Sequence, residues 1–229
     1  MTVPSTADAF PPHVLREYAL IADGERGALV GPRGDIVWMC APRWHSDAVF
    51  AALIGGGGAY AVTPEDRFVW GGYYEPGALI WRSRWITCDA IVECREALAF
   101  PGDAHRVVVL RHVMAREGTA KVNVVLDPRA GFTGPGLQSL HQDDLGHWHA
   151  RLGALYVRWA GDVGGARTGQ TGTGSGLTLT LMLRPGEERD LTLEVSDRPF
   201  GHQAASPAWL WHATQRHWEH AVPSLAGIT

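Results

Sequence analysis

Arg106-Val107-Val108-Val109-Leu110-Arg111-His112-Val113 is the stretch on which the fold reading turns. Val107 to Leu110 are apolar without a break, so an extended strand there wants cover on both faces. Two further strand patterns lie downstream. Leu177-Thr178-Leu179-Thr180-Leu181 and Leu191-Thr192-Leu193-Glu194-Val195 alternate apolar and polar residues, as a strand with one wet face does. The same period of two, with β-branched and aromatic content, predicts strands over 27–30, 35–40, 60–63, 78–87, 90–100, 105–116, 120–126, 147–152, 155–160, 177–183 and 190–195.

Turn chemistry separates these runs. Gly31-Pro32-Arg33-Gly34-Asp35 joins two apolar stretches and reads as a hairpin, because Pro fixes φ and Gly tolerates positive φ. The embedded Arg33-Gly34-Asp35 is read as turn chemistry, not as an adhesion motif. Gly55-Gly56-Gly57-Gly58 ends a short helical pattern over 47–54. Residues 161–176 are rich in glycine and poor in large apolar side chains, which predicts a flexible loop. Ser206-Pro207 opens a helix, with Ser at the N-cap and Pro at the first helical position, and Pro223 stops it. On that helix Trp209, Leu210, Ala213, His217 and Ala221 fall on one face, and Trp211 and Trp218 on another. Both faces then want partners. The sum is a mainly β fold. It is a large antiparallel two-sheet β-sandwich (a super-sandwich) with a short early helix and a C-terminal linker helix. The expected organisation is a tail over 1–12, the sandwich over 13–200 and the linker helix over 201–229.

Composition narrows the function. Of 229 residues 45% are hydrophobic, enough for a sizeable core, and the net charge of −4 offers no footprint for nucleic acid or an anionic membrane. No apolar run approaches membrane-spanning length, and the start carries no secretory h-region, so a cytoplasmic protein is expected. Cys40, Cys88 and Cys94 lack a C-x-x-C spacing, and Cys88 and Cys94 lie too far apart on one straight strand to bond. No P-loop, dinucleotide fingerprint or G-x-S-x-G is present, and nothing in the sequence asks for a cofactor.

A resemblance enters at Tyr18-Ala19-Leu20-Ile21-Ala22-Asp23-Gly24, which runs through Gly34-Asp35-Ile36-Val37-Trp38-Met39-Cys40-Ala41-Pro42-Arg43 to Ser46, Phe50 and Leu53. This pattern, with its fixed spacing, resembles the opening of bacterial glycoside hydrolase family 15 proteins, the glucoamylase and trehalase-like group. The glycine-rich turn after it and Pro128-Arg129 fit more loosely. The resemblance implies a β-sandwich N-terminal domain followed by an α/α barrel. That barrel carries two glutamates, which cleave an α-glucosidic bond with inversion. None of the acids here maps onto those glutamates, so no catalytic residue is assigned and the chain alone is expected to be inactive. The implied partners are the catalytic barrel of the same parent chain and an α-glucoside or oligosaccharide. An orphaned barrel-facing surface would also allow homodimers. The sequence departs from the family where Trp44-His45 replaces the usual Phe-Asp and Val37 replaces the Asp before Trp38.

Arg43, Trp44 and His45 are therefore the candidate substrate-contacting residues: a guanidinium donates to hydroxyls and an indole stacks on a pyranose face. The same side chains suit packing against an adjoining domain. Trp38, Trp209, Trp211 and Trp218 are candidate domain-interface residues. Trp81 and Trp85 share strand parity and are read as core or interface filling rather than a glycan platform. His147 and His149 share a strand face, with His141, Asp143 and Asp144 nearby, yet no metal-ligand spacing appears, so no metal site is assigned. Asp103, Glu93, Glu96, Asp143 and Asp144 read as solvated surface acids, with Glu93 and Glu96 on opposite faces of one strand. A stand-alone carbohydrate-binding or protein-interaction module is the alternative function, and a self-contained enzyme built on the histidines is a third.

Overall fold

The computed structural model describes residues 10–171, 174–201 and 203–222. The strands are β1 (Ala19–Ala22), β2 (Gly27–Val30), β3 (Asp35–Cys40), β4 (Ala48–Phe50), β5 (Ala59–Pro64), β6 (Val69–Tyr74), β7 (Trp81–Ile86) and β8 (Ile91–Leu98). They continue as β9 (Arg106–Glu117), β10 (Ala120–Asp127), β11 (Gln138–Gln142), β12 (Trp148–Leu152), β13 (Leu155–Gly161), β14 (Arg167–Thr171), β15 (Gly174–Leu183) and β16 (Glu188–Ser196). One helix, α1 (Pro207–Ala221), follows. Two eight-stranded sheets form. The first runs β1-β2-β3-β5-β10-β15-β14 with β4 on β3, and the second runs β11-β12-β13-β16-β9-β8-β7-β6.

Alternation places the core between them. Val122, Val124 and Leu126 of β10 and Leu177, Leu179, Leu181 and Leu183 of β15 face Val107, Val109, Leu191, Leu193 and Val195 of the second sheet. The unbroken apolar run of β9 has its reason here. Val107 and Val109 point into the sandwich, while Val108 and Leu110 point out and are covered by Leu210 and Trp211 of α1. The helix therefore packs on the outer face of the second sheet with Trp211 on its buried side. This corrects the expected grouping, since Leu210 and Trp211 share one face and Trp209 is 60% exposed. Ser206 is the N-cap with Pro207 after it, but its side chain makes no capping bond.

Two other expectations change. The helical pattern over 47–54 is β4 followed by a single 3₁₀ turn, Ala52–Ile54. The loop over 161–176 holds β14 and the start of β15, joined in antiparallel register from Arg167↔Thr178 to Thr171↔Gly174. Residues 172–173 of that loop, the stop at Pro223 and most of the tail over 1–12 lie outside the described residues. The hairpin at 31–35 forms as expected. Gly34 there has φ +64°, and a side chain on it would collide with Val62 O and the Trp85 ring.

The interior is not wholly apolar. Arg111 shares the inward parity of Val107 and Val109, and Glu96 that of Val92 and Cys94, so both enter the core. Arg111 Nη2 lies 3.1 Å from Glu96 Oε1, and its guanidinium sits 4.2 Å from the centre of the Tyr60 ring. Ser83 Oγ donates to Glu96 Oε2 at 2.6 Å, Trp81 Nε1 donates to Ser83 Oγ at 3.0 Å, and Trp159 Nε1 donates to the Tyr60 hydroxyl at 3.1 Å. Burial pushes the Glu96 carboxyl up, and the Arg111 charge opposes it.

Candidate functional site

Three loops meet at one end of the sandwich and frame a groove of about 550 Å³. They are the loop after β3, the loop after β10 and the β12–β13 turn; His45, Asp47, Val49, Gly131 and Leu155 are among the lining residues. The loop after β3 is a tight turn: Ser46 N donates to Arg43 O at 3.1 Å and Arg43 N to Ser46 Oγ at 3.2 Å. The loop after β10 is anchored by Arg129, whose Nη2 lies 2.8 Å from Asp127 Oδ1. The four-glycine run has its explanation at this anchor. A Cβ on Gly57 or Gly58 would stand 3.0 or 3.3 Å from Arg129 Cγ, and at Gly58 also 2.8 Å from Val49 O with φ at +86°.

The turn sends the three candidate substrate residues in different directions. Arg43 turns inward, its Nε donating to Ala104 O at 3.0 Å. Trp44 lies across β2, its Cη2 only 2.6 Å from where a Gly27 side chain would begin, and remains 52% exposed. His45 alone of the three lines the groove.

Trp44 instead joins the sheet face on which Trp38 lies. Leu20↔Leu29 and Leu29↔Trp38 are direct cross-strand partners, so these side chains share the outer face of the first sheet. Leu20 Cδ1 also closes on Gly27, 2.9 Å from the same missing Cβ, which brings it to Trp44. The result is an apolar row, Leu20–Leu29–Trp38, with Trp44 beside it. Farther across the same face Lys121 and Asn123 on β10 and Thr178 and Thr180 on β15 are polar, with Val125 and the exposed Met182 among them. The other interface candidates lie on α1. Trp211 is buried under the Arg95 guanidinium at 4.3 Å, Trp218 stacks on Phe100 at 4.4 Å, and Trp209 stays open.

The family model for the trehalase-like N-terminal domain matches residues 10–147, more than half of the chain. The chain belongs to that family. A trehalase of Mycobacterium tuberculosis is 34% identical over 96 residues, which is 39% of this chain and 13% of that protein. A trehalase of Mycolicibacterium smegmatis is 32% identical over 102 residues, 42% of this chain and 14% of that one. The chain thus spans about a seventh or less of the length of the curated relatives it matches. A solved structure described as a kojibiose phosphorylase from human microbiome covers 88% of this chain and 32% of its own, at 8% identity and TM-score 0.44.

Carboxylates in this trehalase-like N-terminal domain are mostly committed. Glu93 and Glu96, read from sequence as solvated, are buried. Glu93 is held by Arg116 at 2.7 Å and Arg84 at 3.3 Å, and Glu194 by Arg158 at 2.8 Å and Arg106 at 3.4 Å. Glu75 spans Arg82 at 2.8 Å and Arg95 at 2.6 Å. Sequence reading missed this outer face of arginine-clamped acids; with Lys121 the sole lysine, planar bidentate donors dominate it. Asp35 is fully buried and takes the Arg33 N–H at 3.0 Å, consistent with a turn rather than an adhesion tip.

The histidine cluster assembles, but around one acid. His141 and His149 stack at 5.3 Å, and Asp143 Oδ2 meets His149 Nε2 at 3.0 Å and His147 Nδ1 at 3.4 Å. Among the described residues no group of three or more donors could hold a metal ion. No helix among them is long and apolar enough to cross a membrane. Burial raises the Asp143 carboxyl, yet bonds from His149 and from the His147 and Leu145 N–H groups, with the His147 charge, hold it at about 2. A depressed carboxyl contributes stability that is complete above its unfolded value, ~3.9, and is lost as pH falls through about 2. Carbon-13 titration should place the Asp143 carboxyl at about 2, and Asp143→Asn should remove that step from acid unfolding. A midpoint near ~3.9 would overturn the clasp.

Proposed function

We propose that this chain is the non-catalytic sandwich of a family 15-like α-glucosidic hydrolase, bracing an α/α catalytic barrel and lending the loop over 43–47 to the rim of its sugar site. The observation that carries the reading is the apolar row Leu20–Leu29–Trp38 with Trp44, gathered across β1–β3 on the outer face of the first sheet. Apolar side chains gathered this way are suited to a covering partner. The clamped acids support a non-catalytic role, because a carboxylate tied to arginine in the core or on the sheet face is badly placed to act as acid or base toward a sugar. The trehalase relatives support a glucosidic parent.

Two measurements test the reading. The purified chain, incubated with trehalose, maltose, maltotriose and isomaltose, should release no glucose; release would overturn the non-catalytic assignment. Co-expressed with the separately encoded barrel of a trehalase from this family, it should co-purify. The double variant Trp38→Ser/Trp44→Ser should lose most of that association. Equal recovery of wild type and double variant, or no association at all, would overturn the docking face.

A further inference from the structure

Strand β6, at the edge of the second sheet, carries aromatic residues beyond the reach of the first sheet's core. By alternation Trp70, Gly72 and Tyr74 point to the inner side of the sheet, with Trp85 and Trp81 their direct partners on β7. Trp85 is covered by the core, but β6 lies beyond the first sheet's edge strand β1. There the Tyr74 hydroxyl takes the Leu20 N–H at 2.7 Å and donates to Leu20 O at 3.0 Å. That pair of bonds closes the sandwich edge and leaves an open slot outside it. The slot holds about 400 Å³, with Trp70, Trp81 and Tyr74 on one wall and Arg16, Glu17 and Tyr18 on the other.

Gly72 determines the shape of the aromatic wall. Its missing Cβ would stand 2.2 Å from Trp81 Cζ2, so the indole lies across the strand where a side chain would have been. The Tyr74 ring meets that indole edge-on at 4.9 Å and 65°. Gly71 faces open space. Trp70, 37% exposed, and Tyr74, 40% exposed, bracket the indole. The four residue steps from one to the other span ~14 Å of strand.

We infer that this slot binds a neutral oligosaccharide, a disaccharide or longer, laid along the Trp70–Trp81–Tyr74 row. A pyranose ring offers a flat C–H face to an aromatic ring and a rim of hydroxyls to its surroundings. Flat rings on one wall and a guanidinium and a carboxylate on the other match those two needs, and the slot is within the ~300–1,000 Å³ usual for small-ligand sites. It is also remote from the groove that His45 lines. In the second sheet β6 lies six strand spacings from β12, ~29 Å away. The choice of gluco-oligosaccharides as ligands rests on the proposed function, whereas the aromatic row does not.

The test is calorimetric titration of the whole chain with maltotetraose and with cellotetraose. At least one should bind. Trp70→Ala should weaken binding at least tenfold, Arg16→Ala severalfold, and Trp209→Ala, on the distant helix, not at all. Near-ultraviolet circular dichroism checks that each variant is folded. No heat with either sugar, or full binding by folded Trp70→Ala, would overturn the site. So would concentration-dependent dimerisation abolished by Trp70→Ala, which would make a second copy the occupant. None of these outcomes depends on glucose release or barrel association, so failure here leaves the bracing role standing.

Discussion

Glu96→Ala should lower the urea unfolding midpoint more than almost any other single change, at a cost of ~3–5 kcal/mol. The substitution leaves the Arg111 charge in the middle of the sandwich, against the Tyr60 ring and without its counter-ion. It also strips the acceptor from the Ser83 hydroxyl, which in turn receives the Trp81 N–H. A buried charge without its counter-ion pays most of its desolvation cost uncompensated. With an m-value of ~1–3 kcal/mol per molar urea, the midpoint should fall by at least ~1 M. Glu96→Leu combined with Arg111→Met should recover most of the loss, because replacing both charges with apolar groups of similar size removes the penalty along with the attraction. A single variant costing less than ~1 kcal/mol would show that the pair is already screened by water.

Trp85→Ala should cost a similar ~3–5 kcal/mol. Its indole is fully buried, rests on Gly34 and donates from Nε1 to Pro32 O at 2.9 Å, so it ties the β2–β3 hairpin of one sheet to β7 of the other. Phe68 adds an edge contact at 6.4 Å. Truncation opens a cavity and orphans a carbonyl in the same place. Trp85→Phe separates these losses, since it keeps much of the ring and forfeits the hydrogen bond, for ~1–3 kcal/mol. Equilibrium denaturation of the two variants should therefore rank alanine well below phenylalanine. Equal losses would assign the whole effect to the N–H.

The strands that alternate over a buried face were legible. β9, β10, β15 and β16 each set large apolar residues at every second position, and one sheet pressed on another demands that pattern. β4, β6, β11 and β14 were not. They are short or lie at sheet edges, and β6, β11 and β14 are built mostly of polar residues, glycine or exposed aromatics, so backbone bonds to the strand next in the chain hold them without a hydrophobic period. In the segment misread as helix, Val49, Phe50, Leu53 and Ile54 mimic a helical stripe, while the pairing of Met39 with Phe50 that makes β4 is not encoded locally.

The candidate site was legible in composition and not in direction. Arg43, Trp44 and His45 adjoin in sequence, but a turn closed by Ser46 points them three ways. That Trp44 would come to lie across β2 and against Leu20 depends on Gly27, two positions before Leu29. The burial of Glu93 and Glu96 escaped for a related reason. An acid in a strand reads as solvent-facing until its arginine partners, here on β7 and β9, are known.

β16 is the last strand in the chain, yet it sits between β13 and β9 in the second sheet. As the polypeptide leaves the ribosome, β6–β9 and β11–β13 emerge as two separate partial sheets, each with a raw edge of unpaired amides. Only when Ser196 has cleared the exit tunnel can a single strand zip them together. The nascent domain thus carries sticky edges for most of its synthesis, and a fragment ending at residue 147 would keep the free edge of β9 permanently. A recognisable stretch of family sequence is here shorter than the smallest piece able to hide its own edges, so any attempt to trim this domain should be drawn beyond β16.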